Sequence, residues 1–319
     1  MDAADLRRGF EAMAAAGGGD ARALAAGLKR EPTGIGLRAL SALALHAAIA
    51  APERIPATYD AAAKGWFGKD VKAPAIRTGP VKAAPISPEF WAALWSLLDQ
   101  PRGTLDAGGI TQRTAALSGL VSPTLHSRLA DAPLEYPGVR SAVAQGYPAR
   151  FSLEALAACP DGSLGSAFHK LIIDNGFDLE VLDREALGLA HLPPTAAYVN
   201  ARILQCHDLW HIVAGYETTG LHEVAISAFQ MAQFGHHYSA VFLAMVLTRV
   251  AFEQPQGAAL MLDTILGAWV HGRESPPLLG ARWEALWDRP VDAVRTELGQ
   301  TPFTSPWPAN LFEQMASAA

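Results

Sequence analysis

Apolar residues along the chain are spaced mostly as they are in helices. Alanine and leucine are abundant, runs of β-branched residues are scarce, and apolar positions recur every three or four residues over 6–28 and again over 37–49. This pattern predicts an all-α fold. We expect a multi-helix bundle with a central antiparallel helical hairpin that carries the metal motif described below.

Prolines and capping residues divide this pattern into elements. Ser87-Pro88-Glu89 is typical of a helix start, and Pro101-Arg102-Gly103 should end that helix. The many prolines between about residues 50 and 88 predict a long irregular connection without helices. A second breakpoint near 138–148 indicates two domains, a helical region of unclear role over 1–140 and a helical metal-binding domain over 141–319, unless the chain forms one continuous fold.

The central hairpin is expected from two helices in the second half of the chain. One helix should begin at Pro193-Pro194 and stop at Gly215, and the next should begin near Thr219-Gly220. This second helix should continue to about Phe252, with a bend at Gly235. Because it is apolar on nearly every side, we expect it to be buried.

Composition and charge exclude two classes of protein. Half of the residues are hydrophobic and 18% are charged, so the chain is not globally disordered. The 25 Lys and Arg residues against 31 Asp and Glu residues give a net charge of -6, and no long basic block occurs. Such a chain lacks the electrostatic basis for binding a phosphate backbone, so we expect no nucleic-acid partner.

The sequence favours a reducing compartment. The chain has two cysteines, Cys159 and Cys206, and it begins with acidic residues where a secretory signal would be basic. We therefore expect a cytoplasmic protein. Two apolar stretches, 35–51 and 238–252, approach the length of a membrane span, but polar residues interrupt both of them. The high content of apolar residues in these stretches still suits a protein that contacts a membrane surface or binds an apolar ligand.

One group of residues has the side chains and the spacing of a metal-binding site. His207, Asp208 and His211 lie on the first helix of the hairpin, and at about 100° per residue they project within about a quarter-turn of each other. Glu223 follows the connection between the two helices by about as many residues as His211 precedes it. The two residues should therefore lie at the same level along the antiparallel helices. Two imidazoles and two carboxylates favour a divalent transition metal, with Zn ahead of Fe or Mn, and are too rich in nitrogen for Ca.

Three other interpretations of these residues remain open. They would also serve as a buried polar network that joins two helices without metal. The motif is also similar to the His-Glu-x-x-His motif of zincin proteases, so a zinc-dependent hydrolase stays an alternative. Against it, Asp208 is one methylene shorter than the zincin glutamate, and no further histidine pattern follows. Phosphohydrolases of the His-Asp class need further ligands on separate helices, which the sequence does not place.

The spacing of the motif resembles a known signature. His-Asp-x-x-His, eleven residues and then Glu is similar to the pattern of the coenzyme Q biosynthesis protein 4 family, which acts in ubiquinone synthesis. Residues 156–165 resemble that family's leucine-, proline- and glycine-rich segment, and Ala197-Tyr198-Val199 with Arg202 resemble its approach to the motif. Residues 283–299 resemble its carboxy-terminal segment. The resemblance covers roughly 151–303 and indicates a divergent member of bacterial type.

The resemblance implies a function and a setting. The metal ligands that it implies are His207, Asp208, His211 and Glu223. It implies an all-helical homo-oligomer at the periphery of a membrane, on the inner face of the cell membrane, with a polyprenylated quinone precursor in an apolar cavity beside the metal. It also implies contacts with other ubiquinone-biosynthesis enzymes. The family is implicated in oxidative removal of the ring carboxylate at carbon one and its replacement by hydroxyl; a non-catalytic lipid- or quinone-binding scaffold is the alternative.

Around the motif the chain departs from the family pattern, notably in its histidines. His222 stands where the family usually has glycine, and its place beside Glu223 makes it a candidate catalytic proton donor or acceptor. The alternative is a solvent-facing histidine at a helix start. His236 and His237 lie about four turns beyond Glu223 on a straight helix, so neither should bind the same ion. We expect Cys206, next to the motif, to pack in the core.

Overall fold

The computed structural model describes residues 2–76, 78–79, 82–100, 107–180 and 182–317. Over these residues the regular elements are helical and no strand is present, so the predicted all-α fold is confirmed. The helices are α1 (Ala3–Ala16), α2 (Ala21–Arg30), α3 (Gly34–Ile49), α4 (Ile55–Phe67), α5 (Pro88–Leu98), α6 (Ala107–Ser118), α7 (Pro123–Asp131), α8 (Val139–Val143), α9 (Leu153–Ala157), α10 (Leu164–Asn175), α11 (Pro194–Ala214), α12 (Gly220–Phe234), α13 (His237–Glu253), α14 (Ala258–Glu274), α15 (Val291–Leu298) and α16 (Leu311–Ser317).

The chain divides into two compact units, each of which is discontinuous in sequence. The first contains Met1–Ala132 and Ser227–Glu274, and the second contains Pro133–Ile226 and Ser275–Ala319. Helix α11 and the first turns of α12 belong to the second unit. All four residues of the predicted metal motif therefore lie in that unit.

The first unit is organised around α3 and α13, which pack against each other. Every residue of α3 from Leu40 to Ile49 is buried, so this part of the helix presents no face to solvent. Elsewhere in the unit, α2 and α4 approach at backbone contact. A Cβ added to Gly65 of α4 would lie 2.1 Å from the carbonyl oxygen of Arg22 in α2, which explains the glycine at this crossing.

The expectation of an irregular connection over 50–88 is wrong for its first part. A short 3₁₀ turn covers residues 52–54, and α4 follows it directly. Pro52 and Pro56 lie in the first turns of these two elements, where the missing N–H breaks no helical hydrogen bond. Tyr59 and Trp66 are buried at helical spacing, so the apolar periodicity outweighs the prolines. The described residues between 69 and 87 contain no helix.

Several helix boundaries follow their sequence signals. Ser87 caps α5, where its hydroxyl accepts a backbone N–H of the first turn at 3.1 Å. The residues Pro101-Arg102-Gly103, which are expected to end this helix, lie outside the described residues. Helix α11 ends at Gly215, whose φ of 78° is the left-handed cap that the sequence predicts.

The long apolar helix expected up to Phe252 is in fact two helices. Helix α12 ends at Phe234 and α13 begins at His237. Gly235 has a left-handed φ of 67°, which stops a helix rather than bending it. His237 therefore starts a new helix instead of continuing the one that carries Glu223.

The apolar stretches 35–51 and 238–252 fall mainly on α3 and α13, which have 16 and 17 residues. Over the described part of the chain, no helix combines the length and the apolar character that crossing a membrane requires.

In the second unit α11 packs against α10 and α15, and its carboxy-terminal end is firmly held. A helix leaves its last carbonyl groups without helical partners. Here the Arg295 guanidinium donates to two of these carbonyls at 2.6 and 3.2 Å, and the Phe303 N–H donates to a third at 2.8 Å. The carbonyl of His211 accepts N–H groups from the two residues that follow the helix. The end of the helix that carries the motif is therefore fixed by hydrogen bonds.

Candidate metal centre

Three side chains of α11 converge at one point. The ligand atoms of His207, Asp208 and His211 all lie within 4.8 Å of one another. The two histidine Nε2 atoms are 3.3 Å apart, and His207 Nε2 lies 3.9 Å from Asp208 Oδ1. Adjacent and one-turn positions of a helix share a face, which is why this spacing brings the three groups together.

Glu223, in the first turn of α12, reaches the same two imidazoles. Its Oε2 lies 3.2 Å from His207 Nε2, and its Oε1 lies 3.3 Å from His211 Nε2. Only residues 215–219 separate α11 from α12, and so short a connection brings the first turn of one helix beside the last turns of the other. The structure thus joins the glutamate to the histidines, as the sequence predicts.

The donor atoms have the spacing that one metal ion requires. In a tetrahedral site with bonds of about 2.0–2.1 Å, neighbouring ligand atoms lie about 3.3 Å apart. The two imidazole nitrogens are 3.3 Å apart, and each of them lies 3.2–3.3 Å from one of the two carboxylate oxygens of Glu223. Imidazole nitrogens combined with carboxylate oxygens are a donor set for Zn, Fe or Mn. The residues present therefore fit a divalent transition metal.

The imidazole of His211 is oriented by the backbone. Its Nδ1 lies 3.2 Å from the carbonyl oxygen of Tyr216, so the proton resides on Nδ1 and the lone pair of Nε2 faces the cluster. Metal-binding histidines commonly have their other ring nitrogen held in this way. Sequence reasoning missed this contact. Its only signal is Gly215, because a left-handed cap folds the chain back over the last helical turn.

Opposing effects set the pKa values of the two carboxylates. Burial alone would raise the pKa of Glu223, but hydrogen bonds and charge interactions with His207 and His211, when these rings are protonated, outweigh burial and hold that pKa well below its ordinary value. Burial raises the pKa of Asp208, and the neighbouring histidines offset only part of that rise. The two carboxylates of the cluster therefore differ in how readily they take up a proton, and Glu223 is the one that stays ionised to lower pH.

The cluster is closed on one side and open on the other. The side chain of His211 has no exposed area, whereas those of His207 and Asp208 are 19% and 14% exposed. The side chain of Glu223 is 44% exposed. Solvent and small molecules therefore reach the cluster from the Glu223 side.

His222 is buried, so the alternative of a solvent-facing histidine is wrong. Its ring packs edge-on against Tyr216 and Phe303. Its Nδ1 accepts the N–H of Glu217 at 2.8 Å, which leaves the proton of the neutral ring on Nε2. Burial lowers the pKa of His222 and favours this neutral form. Nε2 is buried and has no hydrogen-bond partner among the described residues.

The remaining candidates have other surroundings. His237 Nε2 donates to the carbonyl of Ala48 at 3.1 Å, and burial lowers its pKa to about 4. His236 Nδ1 lies 2.8 Å from the hydroxyl of Ser239. Cys206 is fully buried, and burial raises its pKa to about 12, as expected of a packing residue.

The expected apolar cavity beside the metal stays a prediction. Two cavities formed by described residues lie within the first unit. One, of about 290 Å³, has polar lining groups that include His46 and Arg54, and the other, of about 10 Å³, is lined mainly by apolar residues. No residue of the metal cluster lines either cavity.

A protein-family model matches the part of the chain that contains the cluster. The family is described as coenzyme Q (ubiquinone) biosynthesis protein Coq4, and its model matches residues 145–303. This range includes all four residues of the predicted metal motif. Residues 1–144 lie outside it.

Similar curated proteins carry the same description. The mitochondrial ubiquinone biosynthesis protein COQ4 homolog of Drosophila ananassae is 28% identical over 156 residues, which cover 49% of this chain and 56% of that protein. The Rattus norvegicus homolog is 29% identical, with coverages of 47% and 55%. The Drosophila melanogaster homolog is 26% identical over 210 residues, with coverages of 66% and 65%. The chain thus spans about half the length of the first two relatives.

A solved structure shares the fold. It comes from Nostoc punctiforme PCC 73102, and its protein is provisionally assigned to ubiquinone biosynthesis. The similarity has a TM-score of 0.50 and covers 66% of this chain and 94% of that chain, at 24% identity. At this identity the likeness concerns the fold alone.

Proposed function

Since its residues 145–303 make this chain a member of the coenzyme Q (ubiquinone) biosynthesis protein Coq4 family, we propose that it acts in ubiquinone biosynthesis as a metal-dependent protein whose substrate is a polyprenylated aromatic ring. The observation that carries this proposal is the convergence of His207, His211 and Glu223 at 3.2–3.3 Å inside the matched range. Relatives named as ubiquinone biosynthesis proteins support the pathway.

The proposed metal ligands are His207, Asp208, His211 and Glu223. When bound, a divalent metal supplies Lewis acidity, which stabilises negative charge on an oxygen of the substrate. Zn is the favoured ion, with Fe or Mn as alternatives. In the neutral ring of His211 the Tyr216 carbonyl directs the lone pair of Nε2 at the cluster, and Glu223 places a carboxylate beside it.

For the reaction we propose oxidative removal of the ring carboxylate at carbon one. The bond between the ring and the carboxylate breaks, a bond between the same ring carbon and oxygen forms, and carbon dioxide leaves. With dioxygen as the oxidant, a reductant supplies two electrons, two protons are consumed and one water is released. The Glu223 side of the cluster, which solvent reaches, is the side on which we expect the ring to approach.

His222 is the proposed catalytic histidine in this reaction, as a neutral ring that donates a hydrogen bond to an oxygen of the substrate. Its Nε2 carries the ring proton and is buried without a hydrogen-bond partner among the described residues. Its neighbour in the chain, Glu223, is one of the proposed ligands. We propose that an oxygen atom of a bound substrate becomes the hydrogen-bond acceptor of this N–H.

The setting that we propose follows from the substrate. A polyprenylated ring resides in the lipid phase, so the protein should attach peripherally to the inner face of the cell membrane. We also propose that it is a homo-oligomer and that it contacts other ubiquinone-biosynthesis enzymes. The composition supports this, because half of the residues are hydrophobic and only 18% are charged.

Deletion of the gene in its native host tests the function. Mass spectrometry of prenylated intermediates should show accumulation of ring acids that retain the carboxylate, and a plasmid-borne copy should clear them. A copy with His211→Ala should fail, whereas His191→Ala, at an exposed position outside the cluster, should succeed. Full rescue by His211→Ala would support the scaffold alternative, and absence of any prenylated intermediate would defeat the pathway assignment.

A further inference from the structure

The segment that follows α15 runs along the connection between α11 and α12. The N–H of Phe303 donates to the carbonyl of Ala214 at 2.8 Å, and its ring stacks on Tyr216 with centroids 4.6 Å apart. Pro302 lies against Gly215 so closely that a Cβ on the glycine would come within 2.7 Å of the proline. The segment is therefore in direct contact with the beginning of the connection.

Two polar contacts then reach the other end of the connection. The Thr219 hydroxyl donates to the carbonyl of Ala309 at 2.7 Å, and the N–H of Gly220 donates to Glu313 Oε1 at 2.9 Å. The Gly220 N–H belongs to the first turn of α12, where no helical carbonyl is available to accept it. A carboxylate at a helix start is also favoured by the helix dipole.

These contacts involve the residues that position His211 and Glu223 in the metal cluster. The N–H of Glu223 donates to the carbonyl of Thr219 at 2.8 Å, so Thr219 begins the hydrogen-bonded turn that carries the glutamate. Tyr216, on which Phe303 stacks, supplies the carbonyl that orients His211. One segment thus holds both the residue that orients a histidine and the turn that presents the carboxylate.

We propose that residues 302–313, here called the strap, set the position of Glu223 relative to the two histidines, with Thr219 and Glu313 as positioning residues. The inference rests on the proposed metal site. Most of the strap lies beyond residue 303, where the family match ends. The strap is therefore a feature of this chain's own sequence and not of the matched range alone.

Paired variants test the positioning residues in the full chain. Thr219→Val and Glu313→Ala remove the two contacts, whereas Thr219→Ser and Glu313→Gln retain a hydroxyl donor and an oxygen acceptor. Gln314→Ala is the control, because Gln314 lies on the same helix and bonds only to Asn310 in the described structure. Dissociation constants for Zn and Co(II), measured by chelator competition, should rise about tenfold in the Thr219→Val, Glu313→Ala double variant.

The absorption spectrum of the Co(II) form adds a readout of ligand geometry. We expect it to change in the double variant and to be restored by the conservative pair, whereas the control should match the wild type. Wild-type affinity together with a wild-type spectrum in the double variant would overturn the strap and leave the proposed metal site intact. A wild-type protein that binds neither ion would defeat the metal site instead.

Hydrogen exchange of the metal-free protein tests the contact between the strap and the start of α12 independently of metal binding. The amide of Gly220 should be protected in the wild type and in Glu313→Gln, and it should exchange faster in Glu313→Ala, with the acceleration spreading to Glu223. A Gly220 amide that exchanges at the same rate in wild type and Glu313→Ala would contradict the proposal.

Discussion

The carbonyl oxygen of Tyr216 lies 3.2 Å from Nδ1 of His211, five residues earlier in the chain. This contact selects the tautomer in which Nε2 keeps its lone pair, and Nε2 lies 3.3 Å from both His207 Nε2 and Glu223 Oε1. A backbone group thus directs a side chain of the cluster. The site therefore depends on the conformation of the 215–219 connection as well as on the identity of the ligands.

Replacing His211 by alanine should abolish tight metal binding. The wild-type protein should carry about one transition-metal ion per chain, because Asp208 and Glu223 each lie close to the paired imidazoles, and His211→Ala removes the most deeply buried of the four groups. Elemental analysis of purified protein measures this, with His191→Ala as the exposed control. A wild-type protein that stays metal-free after equilibration with Zn, Fe and Mn would favour the polar-network interpretation.

Alanine at Gly215 should destabilise the fold more than alanine at Gly176. Both glycines cap helices with positive φ, of 78° and 64°, so each substitution costs about 1 kcal/mol of backbone strain. A Cβ at Gly176 meets nothing within 4 Å, whereas one at Gly215 meets Pro302 at 2.7 Å. Denaturant unfolding of the two variants isolates the clash, and we expect Gly215→Ala to lose at least twice as much free energy. Equal losses would show that Pro302 moves away freely.

The histidine-aspartate part of the cluster could be predicted because it is local. Helical geometry alone brings His207, Asp208 and His211 to one face, and the glycine cap at 215 marks where the helix ends. The strap could not be predicted in the same way. Glu313 is separated by 93 residues from the Gly220 N–H that it accepts, and no periodicity or spacing connects two positions so far apart.

The wrong predictions of helix boundaries have a common cause. The effect of a glycine or a proline on a helix depends on its position in the helix. The sequence pattern predicts that Pro52 and Pro56 prevent helix formation, yet at the start of an element a proline is compatible with the helix. The pattern likewise predicts that Gly235 bends a helix, but the positive φ of Gly235 ends that helix. The sequence identifies such residues but does not reveal the φ values on which their effect depends.

His237 should make the folded state less stable in acid. Burial lowers the pKa of His237 to about 4, and neighbouring His126 acts in the same direction, while the Ala48 carbonyl opposes the shift. Between about pH 6.5 and pH 4 the unfolded chain therefore binds a proton that the folded chain does not, so the free energy of unfolding falls as pH falls, by about 3 kcal/mol at most.

Chemical denaturation of wild type and His237→Gln across this pH range measures the effect. The glutamine retains an N–H donor for the Ala48 carbonyl but does not titrate, so its unfolding free energy should depend less on pH. Burial also lowers the pKa of His46, so part of the slope should remain. His191→Gln, at an exposed position, is the control. A slope that is unchanged in His237→Gln would assign the acid sensitivity to other groups.

The proposal gives His222 a chemical role through Nε2 in addition to its structural contacts, and two substitutions separate the two. His222→Asn places an amide oxygen near the position of Nδ1, so the Glu217 N–H keeps an acceptor, but the donor at Nε2 is lost. His222→Gly removes both groups and also the ring that packs against Tyr216 and Phe303. We expect His222→Gly to lose about 1–3 kcal/mol of stability, and His222→Asn to lose less.

The role of His222 in turnover is decided by the asparagine variant. If Nε2 donates a hydrogen bond to the substrate, His222→Asn should bind metal like the wild type and remain folded, yet leave carboxylated prenylated intermediates uncleared in the deletion strain. Metal content, thermal unfolding and mass spectrometry of the intermediates are measured on the same variant, so a folding defect cannot be mistaken for a chemical one. Full clearance by His222→Asn, combined with instability of His222→Gly, would mean that His222 only shapes the connection between α11 and α12.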